Sequence, residues 1–229
     1  MLEKLFKDVL DKEKTKAIEN LFERSAPDKD FFLLLFFSVL MATFGLLINS
    51  STVIIGSMLI APILYPILGL SMGIVMSDFS LVSKSLNTLL KAVFLVVGAA
   101  FLTTLLFLSQ IQGLTEEIIK QTKPSLLYGA VGVISGFAAS FALVKPKLNE
   151  TLPGVAVSVA LLPPLAVIGI GLAQANLEIA INSLLLFIIN VLGVVFTAVI
   201  VFSLMNFYIK REKALKIVEE QEKKREGEE

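Results

Sequence analysis

Cysteine, histidine and tryptophan are all absent from the 229 residues. Without cysteine there is no disulfide and no thiol nucleophile, and without histidine as well the ordinary zinc and copper sites lose their ligands. The side chain that most readily carries protons near neutral pH is missing too. With no tryptophan, interfacial anchoring falls to Tyr, Phe and Lys. Charge is scarce, at 17% of residues against roughly 25% in soluble domains. The 20 basic and 20 acidic residues cancel, so net charge names no partner. There is no GxxxxGK[ST] phosphate loop, no nucleophile beside a base and no metal-ligand cluster. The chain therefore reads as a non-enzyme with no metal and no cofactor. Nucleic acid would find only the tails, which are mixed in sign.

What is abundant is hydrocarbon. Hydrophobic residues make up 55% of the chain, mostly in blocks of about 20, the length that crosses a bilayer as a helix. The pattern predicts an all-α polytopic membrane protein with six transmembrane helices: 31–48, 53–76, 88–110, 125–144, 151–174 and 179–209. Residues 77–90 read as a polar-apolar connection, with Lys91 near the start of the third span, where its stem can reach the headgroups. Residues 1–29 form an amphipathic N-terminal segment, its stripe running through Leu2, Leu5, Phe6, Val9, Leu10, Ala17, Ile18, Leu21 and Phe22. Asp28 and Asp30 complement the positive end of the helix that follows. The transmembrane domain covers 30–209, and 210–229 is a charged tail. With six spans, eighteen basic residues fall on one side and two on the other. Both termini are then cytoplasmic, in the cell membrane. Re-entrant hairpins at the two broken segments would give sixteen against four, which is also acceptable.

Two of the spans are interrupted by proline. The stretch NSSTVIIGSMLIAPILYPILGLSMG (Asn49 to Gly73) carries Pro62 and Pro66, and TLPGVAVSVALLPPLAVIGIGLAQ (Thr151 to Gln174) carries Pro163 and Pro164. Each proline lacks a donor and displaces the carbonyl four residues earlier, which predicts free carbonyls at Met58, Pro62, Val159 and Ala160. Ser57 to Leu64 aligns with Ser158 to Leu165, serine leading proline by five positions in both. The chain thus divides into halves of about 30–110 and 125–209, each span–broken span–span. An odd number of spans per half makes this a pair of inverted repeats, and paired broken helices are where such folds place a transport site.

No Asp, Glu or Arg lies deep in any span, so a proton relay has no obvious carrier. The candidate binding residues are therefore neutral: Asn49, Ser50, Ser51 and Thr52 at the mouth of the first broken segment, then Ser57, Met58, Pro62, Tyr65 and Pro66 around its break. In the second half they are Ser158, Val159, Ala160, Pro163 and Pro164, with Asn190 on the last span. Freed carbonyls and hydroxyls suit a weakly held cation such as sodium, and amides opening a half-helix suit an anion, so both signs stay open. Asn190 can equally be interhelical glue. Gly132, Gly136 and Ser140 recur every fourth residue as a seam for close helix approach, and Gly69 and Gly73 form a GxxxG.

The run GLLINSSTVIIGSMLIAPILYPILGLSMGI (Gly45 to Ile74), with LPGVAVSVALLPPLAVIGIGLA (Leu152 to Ala173), resembles the "uncharacterised hydrophobic domain" membrane family, domain of unknown function 389. The likeness extends over about residues 30–205. It implies a multi-pass prokaryotic inner-membrane fold and carries over no agreed binding residues.

The reading that follows is a secondary transporter or facilitator for a small solute or ion, with membrane lipid as its surroundings and a homo-oligomeric state. Its rivals are an oligomeric channel packed through the glycine–serine seam, and a membrane scaffold acting through its amphipathic and charged ends.

Overall fold

Asp28 starts the first apolar helix: its carboxylate accepts the Phe31 amide at 2.7 Å, taking one of the donors that a helix start leaves unpaired. The computed structural model describes residues 11–25, 28–110, 113–145, 148, 154–155 and 159–207, and every regular element within them is helical. In order these are α1 (Asp11–Ser25), α2 (Lys29–Leu47), α3 (Ser51–Ile60), α4 (Leu64–Met76), α5 (Phe79–Leu106), α6 (Glu116–Lys120), α7 (Leu126–Val144), α8 (Leu162–Ala173) and α9 (Leu177–Leu204). The first ten residues and the tail from 208 lie outside the described residues, and so do the parts of the sequence expectations that fall on them.

Four helices, α2, α5, α7 and α9, are long and apolar enough to cross a membrane, and α3 with α4, bent by 50° at their junction, makes a fifth candidate. The chain is a helical membrane protein. α8 has 12 residues, about 18 Å, too short to cross alone. Its residues Leu162 to Gly171 are buried on every face, so it starts inside protein, while Leu172 at its other end is exposed.

The third expected span begins earlier than composition suggests. Asp78 accepts from the amides of Ser80 and Leu81, and the helix runs unbroken from Phe79. Leu81, Ser85, Thr88, Leu89 and Ala92 form its buried stripe, while Ser80, Lys84 and Asn87 are exposed. What reads as a polar-apolar connection is the first three turns of an amphipathic helix. Lys91 accordingly sits midway along α5 and not near its start.

Contacts at the helix ends fix the topology. At one end Thr115 donates to the Leu46 carbonyl at 2.6 Å, and the Glu117 amide donates to Asn49 Oδ1 at 3.1 Å, pinning α6 to the α2–α3 turn. There too the Glu117 carboxylate accepts from Lys120 at 2.7 Å and holds its ammonium above the usual range, an exposed pair of little weight in stability. At the other end Lys145, just past α7, pairs with Glu13 of α1 at 3.3 Å. Lys14 lies 6.0 Å from the ring centre of Phe207, just past α9. α1 buries Ala17, Ile18 and Leu21 of its expected stripe against this end, chiefly on α4.

The glycine seam is used within the chain. α7 packs on α9 so closely that a Cβ at Gly136 would stand 2.8 Å from Val194 Cα, and one at Gly132 3.1 Å from the Asn190 carbonyl. α8 presses on α5 in the same way: a Cβ at Gly169 would lie 2.5 Å from the Val97 carbonyl and 2.7 Å from Ala100 Cβ. Gly73 meets Val82 across the α4–α5 turn. Gly169→Ala should therefore cost about 1–3 kcal/mol, the range for overpacking a core. Gly98→Ala, with nothing within 4 Å, should be neutral or gain up to about 1 kcal/mol from helix propensity. Thermal unfolding in detergent compares the two.

Candidate functional site

At Pro62 the helices α3 and α4 meet at a 50° bend, whereas of the stretch before Pro163 and Pro164 only residues 154–155 and 159–162 are described. In the first, α3 closes with the Ala61 amide donating to the Ser57 carbonyl at 3.3 Å. Pro62 has no N–H, so the Met58 carbonyl loses the donor a continuous helix would supply. The Ser57 carbonyl takes a second bond from the Ser38 hydroxyl of α2, and the Ser57 hydroxyl turns back onto the Ile54 carbonyl at 2.6 Å. The Pro62 carbonyl is not freed by Pro66, as the sequence suggests, because the Tyr65 amide reaches it at 3.3 Å. Pro66 stands in the first turn of α4, where its missing N–H would have had no helical partner anyway. Tyr65 is half-buried and packs against the core.

In the second break, Pro163 and Pro164 are the second and third residues of α8, and Ala160 holds a left-handed φ of 48°. The carbonyls expected to be freed there, Val159 and Ala160, both accept from the side-chain amide of Asn190, at 3.1 and 3.5 Å. Asn190 is 2% exposed. Its amide replaces the two donors that the prolines remove and so joins α9 to the main chain ahead of α8. Ser158 lies outside the described residues.

The two breaks meet. Met58, Ala61, Ile63 and Leu64 from the first, with Leu161 and Leu162 from the second, line a partly open pocket of about 10 Å³, room for about one water. Its lining side chains carry no charge and no hydroxyl. Asn49, Ser50, Ser51 and Thr52 are elsewhere, at the far end of α3, some 15 Å from the break along a ten-residue helix. Asn49 adopts φ 58° and caps α6, while Ser50, the helix N-cap, makes no side-chain capping bond. Ser51 and Thr52 are exposed.

Residues missed from sequence are Ser38 and the aliphatic wall of Ile63, Leu64, Leu161 and Leu162. Ser38 carried one usable signal, being a single hydroxyl amid the apolar run FFLLLFFSVLMA.

The turns after the two breaks share a construction. Asp78 N donates to the Gly73 carbonyl at 2.9 Å, and Asn176 N to the Gly171 carbonyl at 2.8 Å. Ser77 and Ala175 have left-handed φ of 52° and 54°. Asp78 and Asn176 then cap α5 and α9, both 28 residues long. Every one of these matches is at a shift of 98 positions, not the 101 of the serine alignment.

Replacing Asn190 by Leu should strand two buried carbonyls. The expected cost is about 1–3 kcal/mol, with faster amide exchange at Leu161 and Leu162. Thr197→Val, which removes a hydroxyl bonded only to the Gly193 carbonyl of its own helix, should cost under about 1 kcal/mol in the same thermal assay.

The family model for a domain of unknown function, DUF389, matches residues 58–196, a stretch holding both breaks and Asn190. An uncharacterised protein of the archaeon Methanocaldococcus jannaschii is 30% identical over 176 residues, covering 76% of this chain and 54% of that protein. The chain therefore spans about half the length of that relative. No solved structure matches. With more than half its length matched, the chain belongs to the domain of unknown function 389 family.

Proposed function

We propose that this protein is a secondary transporter or facilitator for a small solute, working through the two broken helices, in a six-span inverted-repeat fold of the cell membrane with both termini cytoplasmic. The observation that carries the reading is a small cleft lined by residues of both breaks. A proline-broken helix alone is a kink. Two that face each other across one cavity, each followed by the same turn, make a device with two matching moving parts. The α4–α5 turn lies at the end where α1 packs, and the α8–α9 turn follows a helix running towards the opposite end. Equivalent hinges at opposite ends are what an axis in the membrane plane requires.

A cavity of one water's size describes a closed state, opened by separation of the breaks. Its hydrocarbon lining favours a small neutral or weakly polar solute over a resident sodium ion, which would need several oxygen ligands. The glycine seam that a channel assembly would use is taken up by α9 of the same chain, which favours the carrier.

The test begins with purified protein and a panel of sodium, inorganic phosphate, amino acids, polyols and short-chain carboxylates. At least one should raise the melting temperature, and its uptake into proteoliposomes should saturate. Leu162→Trp, filling the cleft, should cut that uptake at least tenfold in a folded protein. Flux without saturation would favour a channel, and neither a shift nor flux with any of them would sink the transport reading.

A further inference from the structure

One outward face of α5 is not made for hydrocarbon alone. Ser80, Lys84, Asn87 and Lys91 are all exposed, and steps of four, three and four residues set them in one stripe along the helix. The stripe faces away from the buried residues Leu81, Ser85, Leu89 and Ala92. Beside it Leu86, Leu90 and Phe94, each four residues from the next, form an exposed apolar ridge. No acid lies anywhere on α5.

A ring contact gives the depth of this stripe. α2 packs beside α5, and near their far ends the rings of Phe44 and Phe107 lie 5.4 Å apart. Counted back at 1.5 Å per residue, Lys29 is about 22 Å from Phe44, which is level with Ala92 on α5. α2 starts there with Asp28, Lys29 and Asp30, charges that mark the edge of the hydrocarbon. Asp28 is engaged in capping the Phe31 amide. Lys91 therefore stands at that edge, and Lys84 lies about 10 Å further out. A headgroup layer is about 5–8 Å deep, and a lysine stem lets its ammonium travel along the helix surface. Both ammonium groups thus reach one headgroup layer, while Phe94 reaches the acyl chains.

The fold itself does not demand the stripe. The shift of 98 positions that relates the two turns sets Asn182, Leu185 and Ile189 of α9 against Lys84, Asn87 and Lys91. On that helix the exposed residues from Ile181 to Ile188 are Ile181, Leu184, Leu185 and Ile188, all of them apolar. Two helices of 28 residues thus occupy matching places with different surfaces, and the basic one is a feature of α5 alone.

We propose that this stripe docks an anionic phospholipid. Lys84 and Lys91 take the phosphate, Asn87 donates to the oxygens beside it, and Leu90 and Phe94 hold the first acyl chain. Charge complementarity selects the occupant: two cations on an acid-free helix call for an anion, and the apolar ridge beside them calls for hydrocarbon. A phospholipid brings both at this depth. The inference needs α5 in the membrane and does not rest on the transport reading.

The test uses the full chain in neutral detergent with added phosphatidylglycerol, phosphatidylcholine or inorganic phosphate. Phosphatidylglycerol should raise the melting temperature by about 4 °C or more, and the other two by less than half as much. Lys84→Gln combined with Lys91→Gln should remove most of that rise, and the corresponding pair of arginines should keep it. Lys120→Gln with Lys123→Gln, the same loss of charge at the opposite end of the bundle, should keep it as well. An undiminished rise in the Lys84 and Lys91 glutamine variant would overturn the proposal, as would an equal loss in the Lys120 and Lys123 variant. A rise with phosphatidylcholine equal to that with phosphatidylglycerol overturns the choice of an anionic lipid, and an equal rise with phosphate overturns the lipid itself. Light scattering tests the other occupant: a lower subunit number in the Lys84 and Lys91 glutamine variant would make the stripe a contact between copies, against the proposal.

Discussion

Everything in this fold answers to the rule that a main-chain N–H or C=O inside hydrocarbon must find its partner within the protein. Where proline removes a donor, at Pro62 and at Pro163 and Pro164, a neighbour is needed. The second break needs the Asn190 amide, so α9 must run beside it. The first uses a hydroxyl from α2 and a tightened turn at Tyr65. Such polar contacts between membrane helices average only about 0.6 kcal/mol in measured cases. The penalty they avoid is several times larger, so they act as conditions on assembly more than as sources of stability.

Given those neighbours, close packing does the rest. Apolar faces gain nothing from leaving lipid for another apolar face, so association depends on backbone approach. Gly132, Gly136 and Gly193 allow α7 and α9 to touch main chain to main chain, and Gly169 allows α8 to seat on α5. The short α8 depends on this: surrounded by α5, α9 and α2, it escapes the length requirement that a lipid-facing helix must meet.

Much of this was written locally in the chain. The long apolar runs, the prolines, the four-residue glycine seam and the stripe through Ala17, Ile18 and Leu21 each depend on residues within a turn or two of one another. Asn49 to Thr52 looked like the mouth of a site because polar residues beside a break suggest one. Their distance from the cleft, and the contact of Asn49 with Glu117, arise from a hairpin and a loop 68 positions away. Asn190 was visible, but whether it held main chain or solute depended on which helix lay opposite. The serine alignment rests on Leu, Ile and Pro, which recur too often to fix a register, and the turns at Ser77 and Ala175 match at a different shift, 98 positions.

The anchoring of α1 bears on how the molecule is made. Glu13 finds Lys145 across 132 positions, and Lys14 finds Phe207 across more. Both partners leave the ribosome long after α1, so these two contacts form only once the ends of α7 and α9 are in place, whereas the packing of α1 on α4 needs neither. The ends of α7 and α9 thus act as a late latch on a helix already seated on α4.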